Sequence, residues 1–121
     1  MESESFQDRV GPWLLACFGK KIANDMGERN HRFVEEALEL VQACGATASE
    51  CHQLVDYVFG RPSGDIKQEV GGVMVTLAAL CRARKLDMHQ AGEDELAAIW
   101  SYTDKIREKQ KAKPKYRSQT C

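Results

Sequence analysis

The sequence is first informative for what it lacks. Its opening residues, Met-Glu-Ser-Glu-Ser, are acidic and polar, whereas a secretory signal needs a basic start followed by an apolar run. The longest near-apolar stretch, Val70 to Cys81, contains two glycines and a threonine and is too short to span a bilayer. The expected compartment is therefore the cytoplasm, with no membrane partner. A net charge of −1 gives no global attraction to nucleic acid or to an anionic surface. The five cysteines (17, 44, 51, 81 and 121) are odd in number and come without a secretory segment, which argues against a disulfide framework. Cys51 and His52 are neighbours, but no CxxC or HxxxH pair accompanies them, so the ligand spacing of zinc sites is missing. Internal repeats are absent, and so are the alternating apolar and polar residues of strands.

What is present is ordinary globular composition, with 43% hydrophobic and 29% charged residues over 121 positions, a length that suits one domain. Stop and start signals cut the chain into helices. The first is expected over about Phe6 to Phe18, with Pro12 opening its second half or kinking it and Gly19 ending it. A long second helix runs from about Asp25 to Cys44 and stops at Gly45. Thr47 and Glu50 form a capping box for a short third helix ending at Gly60. After the Arg61-Pro62-Ser63-Gly64 turn, Asp65 and Gln68 open a fourth helix that reaches about Arg84. Asp87 and Gln90 repeat the signal for a last helix to about Lys109. The fold class read from this pattern is all-α, a bundle of four to five helices, as a single domain over 1–110 followed by a basic tail over 111–121. Half-exposed apolar faces on helices of this length point to pairing with another copy.

The candidate chemistry lies on the second and fourth helices. At about 100° per residue, Glu35, Glu39 and Glu28 share one stripe of the second helix with Glu36 close by. Phe33, Ala37, Leu40, Val41 and Cys44 form the adjoining apolar stripe. A solvated helix face is the plain reading of such acids. Like charges one turn apart repel by a few tenths of a kcal/mol per pair, however, and a cation between them would remove that cost. On the fourth helix Glu69 borders the apolar face formed by Val70, Val73, Met74, Leu77, Leu80 and Cys81. Its plain alternative is a first-turn carboxylate favoured by the helix dipole. If the two apolar faces pack together, Glu36, Glu39 and Glu69 converge into a hard-oxygen site suited to Mg²⁺ or Mn²⁺.

The order of these parts resembles the MazG superfamily of all-α nucleoside triphosphate pyrophosphohydrolases. The matching segments are EEALEL (35–40), EVGGVMVTLAAL (69–80), KLDMHQA (85–91) and DKIREKQ (104–110). More narrowly, ERNHRFVEEALELVQACG followed by EVGGVMVTLAALC resembles the phage and bacterial MazZ-like dATP/dGTP diphosphohydrolases. The resemblance implies a helical oligomer, a homodimer or homotetramer. It also implies Mg²⁺-dependent hydrolysis of a purine (deoxy)nucleoside triphosphate to the monophosphate and pyrophosphate. Carried over, Glu36, Glu39 and Glu69 are the metal ligands, and Glu35 is the residue that orients or deprotonates the attacking water. Lys105, Arg107 and Lys109 would meet the phosphates, although a basic helix end complementing its dipole explains them equally well. The position of the family's remaining aspartate falls on Gly72, which has no side chain to bind a cation; Asp65, one turn before Glu69, is the candidate substitute. The alternatives left open are a non-catalytic relative that binds nucleotide or metal and a helical interaction protein. Trp13, Phe18, His31 and Phe33 are the aromatic candidates for stacking on a base.

Overall fold

In the computed structural model the described residues are 4–114, and among them every regular element is helical. The elements are α1 (Phe6–Ala23), α2 (Met26–Ala43), α3 (Ala48–Phe59), α4 (Ile66–Ala83), α5 (Met88–Ser101) and α6 (Thr103–Ala112). Six helices stand where four to five were expected, because the last one is broken at Tyr102 (φ −113°, ψ 20°). The Ile99 carbonyl accepts from the Trp13 indole at 3.3 Å and from Tyr102 N at 3.2 Å. An acceptor drawn off its own helix ladder is a recognised cause of a kink. The basic tail falls mostly outside the described residues, and α6 occupies its first two positions. No described helix is long and apolar enough to cross a membrane.

Local sequence sets the helix ends. Thr47 and Asp65 cap α3 and α4 by accepting from Glu50 N at 3.2 Å and Gln68 N at 3.0 Å, as their spacing predicts. Gly45 ends α2 with φ 97°. Its N–H donates to Gln42 O, and Ala46 N donates to Val41 O, the pair of bonds that defines a Schellman motif. The same pair closes α4, from Lys85 N to Arg82 O and from Leu86 N to Cys81 O. There the left-handed position (φ 59°) is held by Lys85. A lysine pays the Cβ penalty that glycine avoids, so Lys85→Gly is expected to stabilise the protein by about 1 kcal/mol. Denaturant midpoints of the two proteins would check this.

The chain divides into two compact units: residues up to 32 together with those from 89 onward, and Phe33–Met88. In the first unit α1 packs on α6, and Cys17, Ala23 and Leu96 are buried. α1 runs through Pro12 without a break and is interrupted instead at Gly19 (φ 77°, ψ 166°). That interruption turns the following N–H groups away from the carbonyls one turn back. Arg107 replaces them, its Nε donating to Cys17 O at 2.8 Å and its Nη2 to Ala16 O. Burial pushes the Cys17 thiol up from its ordinary value, against the opposing pull of Arg107, so this cysteine is a core residue in its thiol form.

Arg9 on α1 grips Glu93 on α5 through both guanidinium arms, one of them at 2.7 Å and the other in still closer contact. Its hydrogen bonds hold the Glu93 carboxyl below the ordinary carboxylate value and raise Arg9 in turn. A carboxylate with a lowered folded value stabilises the fold above its unfolded value and loses that contribution as pH falls through the folded one. Stability measured down an acid series is thus expected to fall more steeply in the native protein than in Glu93→Gln.

The second unit holds the C-terminal part of α2 with α3 and α4. None of its residues is buried. The large apolar side chains of its three helices are exposed instead, among them Phe33, Leu54, Val58, Val70 and Met74.

Candidate functional site

All the proposed cation ligands and the proposed base lie in the second unit. On α2, Glu35 is half-buried, while Glu36 and Glu39 are exposed. Glu35 and Glu39 are four residues apart and so stand on one face. Both line a cleft of about 390 Å³ between α2 and α3, with Leu38, Gln42, Cys51, His52 and Val55. That volume is in the range of small-molecule pockets. The walls are largely apolar, and their polar groups are the two carboxylates, the Gln42 amide, the Thr47 hydroxyl and the His52 imidazole. Sequence reasoning set Cys51 and His52 aside for want of zinc spacing. The signal that would have kept His52 is its helical position: Cys51, His52 and Val55 fall on neighbouring turns of α3, facing back toward α2 across the Gly45 turn.

Glu36, Glu39 and Glu69 do not come together within one chain. Among the described residues no group of three or more His, Cys, Asp or Glu side chains is placed to hold a metal ion. The reason lies in how α4 meets α2. Arg84 Nη2 donates to the Cys44 carbonyl at 2.8 Å, so the C-terminal ends of the two helices adjoin. From that junction Glu39 and Glu36 lie about 7.5 and 12 Å back along α2, and Glu69 about 22 Å back along α4, at 1.5 Å per residue. Glu69 is therefore roughly 10 Å or more farther out than either partner. Its carboxylate folds toward its own turn: a Cβ at Gly64 would stand 3.0 Å from Glu69 Oε1.

Asp65 caps α4 through its Oδ2, a local role that ties one of its oxygens to the helix start. At Gly72 a Cβ would meet nothing within 4 Å, so a side chain has room there. The basic residues assigned to phosphates lie in the first unit. Lys105 Nζ stands 5.7 Å from the centre of the Tyr102 ring, and Lys109 is exposed. Arg107 is engaged by the α1 carbonyls. Glu28, which the helical wheel groups with the acidic stripe, is buried and bound to Arg32 and Gln110. Of the aromatic candidates, Trp13 and Phe18 pack edge to face with ring centres 5.6 Å apart, and Phe33 is exposed on α2.

Compared with family models, with curated proteins and with solved structures, the chain finds no match.

Proposed function

We propose that this protein is a nucleoside triphosphate pyrophosphohydrolase of the MazG-like kind. It would convert a purine (deoxy)nucleoside triphosphate to the monophosphate and pyrophosphate, and act as a homodimer or homotetramer. The observation that carries the reading is the α2–α3 cleft, which presents Glu35 and Glu39 one helical turn apart on a largely apolar wall that also holds Gln42, Thr47 and His52. An apolar slot of that size suits a flat, uncharged base or sugar edge, and carboxylates at its rim suit a cation held against phosphates. The resemblance of the 35–40 and 69–80 segments to the family supplies the reaction class.

The donors fit Mg²⁺ or Mn²⁺ in kind, since all are hard carboxylate oxygens. Glu36 and Glu39 on α2, and Glu69 with Asp65 on α4, are the carboxylates that would hold the ion, the two sets standing apart within one chain. Bound there, the cation would supply charge neutralisation of the triphosphate and acidification of water. Glu35, half-buried at the cleft wall, is suited to accept a hydrogen bond from the attacking water and to aim it at the α-phosphorus. Lys105 and Lys109 are the side chains available to phosphate oxygens, whereas Arg107 already serves α1. Most of such a reaction depends on positioning and charge stabilisation, which rigid helices provide.

The test is pyrophosphate release from a panel of dNTPs and NTPs with Mg²⁺ or Mn²⁺. Turnover of a purine triphosphate supports the reading, and inertness toward every nucleotide refutes it. Gly72 gives a gain-of-function arm. It lies three residues after Glu69, on the same side of α4, and has open space for a side chain. Gly72→Asp is expected to tighten Mn²⁺ binding about tenfold, the scale of one added charged ligand interaction of about 1.4 kcal/mol. Mn²⁺ titration of both proteins by electron paramagnetic resonance reads this directly.

A further inference from the structure

The net charge of −1 conceals a separation of charge inside the first unit. Arg9 meets Glu93, the Trp13 indole meets the Ile99 carbonyl, and the Cys17 thiol meets the Thr103 carbonyl. α1 therefore runs alongside α5 and α6 in the same direction, and its start and end mark the two ends of the unit. At the first end, residues 4–15 and 89–100 carry five acids and a single arginine. At the second end, residues 16–32 and 101–114 carry nine Lys or Arg against four Asp or Glu.

Those four acids are committed elsewhere. Glu28 is buried against Arg32 and Gln110, and Asp25 Oδ1 accepts from Glu28 N at 3.1 Å. Asp104 and Glu108 stand 3.8 and 3.3 Å from Arg107 and Lys111. Lys20, Lys21, Lys105 and Lys109 are exposed and form no ion pair among the described residues. A surface built for solubility alone intersperses the two signs, and like charges at i and i+4, such as Lys105 and Lys109, repel. A polyanion laid on this end would remove that repulsion.

The end also offers apolar rings to a base. At about 100° per residue, Lys105 and Lys109 share one flank of α6. Tyr102 begins that flank, 51% exposed, with its ring centre 5.7 Å from Lys105 Nζ. Arg107 and Lys111 fall on the other flank, beside a cavity of about 470 Å³ that α1 closes with Phe18 and Ile22. Ile22 places the last turn of α1, which carries Lys20 and Lys21, next to the end of α6.

We propose that this basic end of the first unit binds a single strand of nucleic acid. Its phosphates lie on Lys20, Lys21, Lys105 and Lys109, and one base stacks on Tyr102. Cations spread over two helices suit a polymer better than a single phosphate group, and an exposed ring among lysines is the arrangement that holds unpaired bases. Duplex DNA keeps its bases stacked on one another and leaves Tyr102 unused. The inference stands whether or not the protein hydrolyses nucleotides; where it does, strand and triphosphate share Lys105 and Lys109 and exclude one another.

Fluorescence anisotropy of a labelled oligothymidylate, titrated with the full-length chain over a series of salt concentrations, tests this. Four neutralised phosphates on a single strand predict a slope of log affinity on log salt of about −3, at about −0.7 each. Lys20→Gln with Lys21→Gln is expected to weaken binding and bring the slope to about −1.4. Tyr102→Leu is expected to weaken binding about tenfold with the slope unchanged, because it removes stacking and no charge. Tyr102→Phe, which keeps the ring, is expected to bind as the native protein does. Absence of binding at low salt overturns the proposal, as does a native slope in the Lys20 and Lys21 double variant or a native affinity in Tyr102→Leu. A duplex of the same length bound as tightly as the strand overturns it too. So does equal retention on phosphatidylserine vesicles, which would make the surface a general anion patch.

Discussion

Replacing Glu39 by glutamine is expected to lower pyrophosphate release from the preferred nucleotide by roughly 100-fold or more. A bound divalent cation contributes several kcal/mol of charge stabilisation in such reactions, and each 1.36 kcal/mol is a factor of about ten in rate. Glutamine keeps the length and one oxygen of the side chain but removes the negative charge a hard cation needs. The same substitution should leave folding intact or improve it slightly. Glu35 and Glu39 are like charges at i and i+4, so neutralising one relieves a few tenths of a kcal/mol of repulsion. The pairing of these two results is diagnostic. Lost turnover with an unchanged or raised melting temperature identifies a ligand. Unchanged turnover and unchanged Mn²⁺ affinity would assign the acidic stripe to the solvent and leave a helical interaction protein as the better description.

The helices were legible because their boundaries are written locally. Thr47, Asp65 and Gly45 act within four or five residues of themselves, through caps and turns that depend on residue type and spacing. Where a boundary depends on a distant residue the sequence is silent. The break at Tyr102 follows from the Trp13 indole taking the Ile99 carbonyl, and the persistence of α1 past Gly19 goes with Arg107 serving its free carbonyls. Lys85 shows a third limit, since only glycine or asparagine advertises a left-handed position. The candidate site divides in the same way. The facing of Glu35 and Glu39 is a property of one helix and was readable. The separation of Glu69 from them depends on which helix ends adjoin, and the apolar stripes that carry the acids do not name their partner. Glu28 was misplaced among the surface acids because its burial depends on Gln110, far along the chain.

That buried carboxylate yields the largest expected loss of stability. Glu28 is 8% exposed. Arg32 Nε stands 3.1 Å from its Oε1, and Gln110 Nε2 donates to the same oxygen. Arg32 also reaches the Pro114 carbonyl at 3.2 Å, so one cluster ties the start of α2 to the end of α6. The same turn adds Arg29, whose guanidinium lies 5.7 Å from the Phe18 ring centre. Truncating one member of a buried ion pair leaves the other charge without compensation, which costs about 3–5 kcal/mol. Glu28→Ala is expected to cost that much, a large share of the stability of a domain this size. Glu28→Gln keeps a hydrogen-bonding oxygen for Gln110 and loses only the charge, so about half the penalty is expected. Guanidinium unfolding with an unchanged slope would measure both, and adding Gln110→Ala in a double-mutant cycle would isolate the α2–α6 link. If Glu28→Ala costs less than about 1 kcal/mol, the surface-pair range, the cluster is open to water and α6 is held by its packing on α1 alone.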